Sequence, residues 1–314
     1  MREPAKRPGV HRNTIVNADR FPMTSRTATL IGFCAILLWS TLALFTAMSG
    51  RVPPFQLVGM TFVIGGLLIL AITAARGELR RIRPTLGSFA LGLYGPFGDT
   101  ALYYAAVKTA PPAEANLIHY LWPLLIVLFA ALLPGGGLKL RHLTGALIGL
   151  AATALLISGS LGAAGGGISL GHVLAALGAF VWASYSVASR RFAEVPSESL
   201  SVTMLGCAIA AFACHLAFET TQWSLTAVEW AGALGLGLGS IGLAFVCWDI
   251  GMKRGDVAFL GVASYAAPVL STLVLVLTGY AAASWLLAAS CMLIVVGALV
   301  ASGVVPALKS RQST

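Results

Sequence analysis

The sequence predicts an all-α membrane protein, with ten transmembrane helices arranged as two inverted five-helix repeats around a central cavity. Three observations predict it. The chain is 58% hydrophobic and only 10% charged over 314 residues, with a mean hydropathy of +0.87, far more apolar than the soluble norm of roughly half apolar and a quarter charged. Apolar stretches close to the ~20 residues a spanning helix needs recur along it, and the period-2 alternation of a membrane barrel is absent. The chain also resembles itself when shifted by 143 to 145 residues.

The spans fall at about 28 to 48, 55 to 75, 87 to 107, 112 to 133, 143 to 160, 169 to 189, 199 to 218, 228 to 252, 257 to 277 and 284 to 305. Their connections are too short for an extramembrane domain. The expected organisation is a basic tail over 1–27, a first repeat over 28–160, a second over 169–305 and a tail over 306–314. A cleaved signal peptide is not expected, because the first apolar run already has full spanning length and more follow. Cys34, Cys207, Cys214, Cys247 and Cys291 fall inside spans without CxxC spacing and read as small apolar fillers.

The net charge of +9 reports topology. If the amino terminus is cytoplasmic, the inner segments hold every Lys and Arg except Arg51 and Lys108, including Arg76, Arg80, Arg81, Arg83, Lys139, Arg141, Arg190, Arg191, Lys253 and Arg254. This is the positive-inside bias carried through consecutive spans, and it places both termini in the cytoplasm. The charge is accounted for by topology and anionic lipid, so no nucleic-acid partner is expected.

The fourth span, PPAEANLIHYLWPLLIVLFAALL, carries Asn116, His119, Tyr120 and Trp122 at about bilayer depth. Pro123 removes a backbone donor there and frees the His119 carbonyl. Its copy in the ninth span places Tyr265 under Tyr120 and Pro268 under Pro123. Trp39 superposes on Trp182 at an offset of 143, and Tyr103 on Trp248 at 145. Five spans per half make the second copy enter from the opposite side, and transporters built this way hold substrate near the midplane between repeats.

Gly92, Gly95, Asp99 and Tyr103 follow at steps of 3, 4 and 4, so they share a helical face. Asp99 reads either as a gate or polar contact or as a buried acid bonded to neighbouring hydroxyls. Trp182, Tyr185 or Ser186, and Ser189 share a face in span six. Tyr120 and Pro123 are expected on the cavity side with Asn116, Trp122 reaches round or fills a crevice, and His119 makes a structural hydrogen bond. Glu114, Glu219 and Glu229 read as solvated residues near outer span ends, and Asp249 as the ion-pair partner of Lys253 and Arg254.

With WST in the first span and Tyr-x-x-Pro in the fourth and ninth, the chain resembles the drug/metabolite transporter superfamily with its EamA-like halves. The run Tyr120-Leu121-Trp122-Pro123 is similar to the YddG-type aromatic amino acid exporters of bacterial inner membranes. The resemblance implies a monomeric inner-membrane secondary transporter, without cofactor, exporting aromatic and other apolar amino acids by alternating access. A broad exporter of flat cationic drugs is the alternative, and would depend more on Asp99. The implied substrate residues are Tyr103, Tyr120, Trp122, Pro123, Trp182, Trp248, Ser264 and Tyr265, with Trp39, Asp99, Asn116, His119 and Pro268 in gating or polar roles. Stacking on such rings contributes about 0.5 to 1.5 kcal/mol per pair. No buried Arg or Lys stands ready for a phosphate ester or nucleotide sugar.

Other classes fit less well. GPFGD around Asp99 departs from the GxGD spacing of intramembrane aspartyl proteases, and Asp249 lies at the opposite depth. No HExxH, GxSxG or Walker A pattern occurs. The rings of repeated polar residues that a selective pore uses are also missing.

Overall fold

In the computed structural model, residues 24–132, 139–161, 168–192, 194–255, 260 and 263–302 are described. Most of the expected basic tail, the tail at 306–314 and the start of the ninth span lie outside these residues. The described residues contain helices and turns and no strand.

The first span is divided into α1 (Ser25–Trp39) and α2 (Leu42–Met48). Then follows α3 (Pro54–Ala75), which uses Pro54 in its first turn, where no backbone donor is lost. The third span is α4 (Leu86–Gly92), a π turn (Leu93–Phe97) containing Pro96, and α5 (Gly98–Thr109). The fourth is divided into α6 (Pro112–His119) and α7 (Trp122–Leu132). A single helix, α8 (Leu140–Leu161), ends the first half.

The second half repeats this order. It begins with α9 (Leu170–Ser189) and α10 (Leu200–Phe218). The eighth span is α11 (Ala227–Gly235), a π turn (Leu236–Leu243) and α12 (Ala244–Arg254). A 3-10 turn (Ser264–Ala266) leads into α13 (Ala267–Leu277), with Pro268 in its first turn, and α14 (Trp285–Ser302) closes the described chain. Both halves therefore carry a π turn in the third of their spans and a proline-led break in the fourth.

Five helical runs among the described residues are long and apolar enough to cross a membrane: Ser25–Met48, Pro54–Ala75, Leu170–Ser189, Ser197–Phe218 and Ala227–Gly251. The outward faces are apolar, with Leu143, Leu147 and Leu150 of α8 and Ile209 and Leu216 of α10 exposed. Exposed apolar surface of this extent marks faces that meet lipid or another protein. Trp223, Trp230, Tyr280 and Trp285 are exposed near helix ends, where interfacial aromatics settle.

Packing follows the repeat. Helix α1 lies along α12, and α9 lies along α5, which are the same contact made once by each half. Helices α3 and α10 pair with each other, as do α8 and α14. The α1–α12 crossing is close enough that a Cβ on Gly251 would lie 2.6 Å from the Gly32 Cα, so both positions require glycine. Cys207 and Cys291 are buried fillers as expected, whereas Cys34 is exposed on the outer face of α1.

Candidate functional site

The breaks and π turns meet at the centre. Pro123 cannot donate to His119, so α6 stops at His119 and α7 restarts at Trp122 with the proline in its first turn. The break in the first span is stitched to the π turn of the eighth. The Trp39 indole Nε1–H donates to the Ser240 carbonyl at 3.0 Å, and the Ser240 hydroxyl donates to the Leu38 carbonyl at 3.1 Å. In the other half, Tyr94 of the π turn and Ser184 of α9 join hydroxyls at 2.7 Å. Ser184 is the copy of Thr41, which itself lies 3.4 Å from the Ser240 hydroxyl.

Trp39 is the hub of an aromatic cluster. Its ring centroid lies 5.1 Å from Trp248, 5.9 Å from Trp182, 6.3 Å from Phe245 and 6.5 Å from Trp122, mostly edge to face. Phe245 in turn lies 5.5 Å from Trp182. These rings form a partition between two spaces. On one side is a cavity of about 680 Å³ whose walls include Trp182, Tyr185, Ser186, Ser189, Thr203, Phe245, Trp248 and Asp249; it opens towards the α9–α10 connection. On the other is a chamber of about 40 Å³ bounded by Trp39, Leu42, Asn116, His119, Tyr120, Trp122, Trp182 and Phe245. The larger space has the dimensions of a small-molecule site, largely apolar with a few polar groups.

Behind the chamber runs a buried polar network. The Tyr103 hydroxyl donates to Asn116 Oδ1 at 2.8 Å, and Asn116 Nδ2 donates to the Ser271 hydroxyl at 2.9 Å. His119 Nε2 and Asp99 Oδ1 are 2.7 Å apart, with both side chains about nine-tenths buried. The Tyr103 ring covers His119 at 4.6 Å. Satisfied buried networks of this kind fix one geometry, since an unpaired member would cost its full desolvation.

The connection before α3 is bonded mainly to the segment before α11, in the other half. Glu229 Oε1 accepts from the Arg51 backbone N–H at 3.0 Å and from Arg51 Nε at 3.4 Å, while Oε2 accepts from the Thr226 N–H and hydroxyl. Glu219 accepts from the N–H groups of Phe55 and Gln56 at 2.9 and 3.1 Å, capping α3 from the other half. Gln56 and the Gln222 backbone bond reciprocally at 2.8 and 2.9 Å, and Lys108 Nζ donates to the Gly50 carbonyl at 2.7 Å.

The sequence-derived candidates thus separate. Trp39, Asn116, His119, Tyr120, Trp122 and Trp182 meet at the chamber, and Trp248 faces the larger cavity from the partition. Tyr103, Asp99, Pro123, Ser264, Tyr265 and Pro268 are buried and border neither space. The solvated reading of Glu114, Glu219 and Glu229 is corrected. Glu229 is buried, Glu219 serves both α3 and His215, and Glu114 meets His172 at 2.9 Å. Asp249 accepts from the Ser197 hydroxyl and lines the cavity; the Lys253 side chain lies outside the described residues. Sequence reasoning missed Phe245, although it stands one turn before Trp248 on the same face.

An EamA-like transporter family model matches residues 26–158 and 169–303, once for each half. The chain belongs to the EamA-like transporter family. Within this EamA-like group it is 52% identical to the aromatic amino acid exporter YddG of Ancylobacter novellus, over 89% of this chain and 98% of the relative. It is 31% identical to the protein of the same name from Salmonella typhimurium, over 80% of this chain and 88% of the relative. A solved crystal structure 52% identical in sequence superposes with a TM-score of 0.72, covering 91% of this chain and 99% of that one. These relationships make the chain a transporter, with helices suited to an inner membrane.

Proposed function

We propose that this protein exports aromatic and other apolar amino acids across the bacterial inner membrane, by alternating access between two inverted halves. The observation that carries the reading is the cluster of Trp39, Trp122, Trp182, Phe245 and Trp248 between a cavity of about 680 Å³ and a chamber of about 40 Å³. A flat apolar side chain stacks on its walls, while Asn116, Tyr120 and the carbonyl freed by Pro123 supply polar partners for the zwitterion. The relative named an aromatic amino acid exporter supports the substrate class. The basic-residue distribution supports a cytoplasmic cavity mouth with the Glu219 and Glu229 contacts on the outer side, a state that receives cargo from within. The alternation of packing, α1 on α12 against α9 on α5, supports the inverted repeat. The protein is taken to act as a monomer in lipid, with both termini cytoplasmic.

The test is exchange of labelled phenylalanine and tryptophan across proteoliposomes. Saturable exchange is expected, with at least a tenfold loss in Tyr120→Ala at unchanged protein abundance. Movement of a flat dication in place of any amino acid would replace this reading with drug export.

A further inference from the structure

Two acid–histidine pairs lie one above the other along the seam where α6 packs on α9. The inner pair is Asp99 and His119, 2.7 Å apart at the chamber wall. The outer pair is Glu114 Oε2 and His172 Nε2, 2.9 Å apart, with the Glu114 side chain 19% exposed and His172 steadied by Ser169 at 3.1 Å. Glu114 and His119 are five residues apart on α6, roughly 7.5 Å along the axis at the 1.5 Å rise of a helix. Room for the inner pair is made by Gly178 of α9. A Cβ there would lie 3.1 Å from His119 Cδ2 and 3.3 Å from Asp99 Oδ1.

The repeat supplies an internal control. The positions equivalent to Asp99, His119 and Gly178 in the other half are Ala244, Ser264 and Ala35, and those equivalent to Glu114 and His172 are Phe259 and Thr29. The copied sequence therefore carries no acid or histidine at these positions, so the four groups are not a common element of the repeat. Buried ionisable groups within a membrane are costly, and are retained where a charge or proton has to move.

We propose that the α6–α9 seam is a proton path that couples this transporter to the proton gradient; the proposal rests on the export reading above. With Asp99 ionised, its bond to His119 fixes the hydrogen on Nε2, and Nδ1 remains to accept a proton. Uptake turns the pair from one negative charge to neutral, and release restores it. The proton enters by Glu114 and His172 from the outer side and leaves towards the cytoplasm as an amino acid moves out. The titratable groups facing the inner pair are Tyr103 and Tyr104 of α5 and Tyr120 at the break, while α9 presents Gly178 and Trp182. Among the described residues, His119 is the charge partner of Asp99.

The experiment uses the full chain in proteoliposomes and reads two quantities: phenylalanine exchange without a gradient, and phenylalanine accumulation against its own gradient under an imposed pH difference. Wild type is expected to accumulate phenylalanine several-fold. Asp99→Asn is expected to keep exchange within about threefold while accumulation falls to none, and Glu114→Gln to slow accumulation. Wild-type exchange with no response to the pH difference overturns the coupling and leaves the export reading intact. Loss of exchange in Asp99→Asn would make the pair structural and overturns it too. Absence of exchange in wild type refutes the export reading, and the coupling with it.

Discussion

Trp39 combines two separable contributions. Its ring packs against Trp122, Trp182, Phe245 and Trp248, and its N–H donates to the Ser240 carbonyl in the π turn of the eighth span. Replacing the ring by methyl should cost about 3 to 5 kcal/mol, as for other buried Trp→Ala changes. Trp39→Phe keeps most of the packing but leaves the Ser240 carbonyl buried without its donor, a cost of about 1 to 3 kcal/mol. Thermal unfolding of the purified protein in detergent should therefore rank wild type above Trp39→Phe above Trp39→Ala. Equal losses in the two variants would mean that the hydrogen bond carries the whole effect and the cluster packs little. Trp39 was visible in the sequence through its copy, Trp182; its partner Ser240 was not, because the pairing spans 201 positions and depends on a π turn.

At the scale of elements, the proline-led breaks were legible and the π turns were not. Pro123 and Pro268 announce themselves, since a residue without N–H inside an apolar run must free a carbonyl one turn earlier. The π turns arise from Pro96 in one half and from the glycines at 235, 237, 239 and 242 in the other, so no common residue marks them. Each inserts a residue into the helical count, and a face read at steps of 3 and 4 slips across it. Gly92 lies against Thr203 of α10, whereas Gly95 and Asp99 both meet α9, at Tyr185 and Gly178. Glu219 and Glu229 escaped for a different reason: their partners, Phe55, Gln56 and Arg51, belong to the other half. Pro123→Ala tests the fourth-span break directly. It restores a donor for the His119 carbonyl and removes a residue that costs about 3 kcal/mol in a helix interior. The thermal midpoint should hold or rise while phenylalanine exchange falls at least tenfold, and unchanged exchange would show that the break is not part of the transport path.

For the whole molecule, the two ends of the bundle are held by different means, and on the proposed alternating-access reading this sets which state is populated. On the cavity side, Arg83 and Arg81 tie the α3–α4 connection to Ser199 and Glu198 and leave the space between α9 and α12 open. On the other side, the connection at residues 49–56 is bonded to residues 219–229 through Glu229, Glu219 and Gln56, and to α5 through Lys108. The Arg51–Glu229 ion pair itself contributes little, because Arg51 is 66% exposed. The Glu229 carboxylate acts instead as the shared acceptor of two backbone N–H groups, one from each half. Gly50, at φ +51, brings the connection in, and a Cβ there would touch Glu229 Oε1 at 2.8 Å. Glu229→Ala should weaken the outer closure by about 1 to 2 kcal/mol, in the range of lost helix caps. The population open to the outside then rises by roughly 5- to 30-fold. The reporter is Leu42→Cys at the chamber wall, in a background with the five native cysteines replaced, labelled from outside by a membrane-impermeant thiol reagent. Labelling should be slow with Glu229 present and faster by that factor without it. Equal rates would show that the aromatic partition and the remaining outer contacts, Glu219 and the Gln56–Gln222 pair foremost, hold the chamber closed on their own.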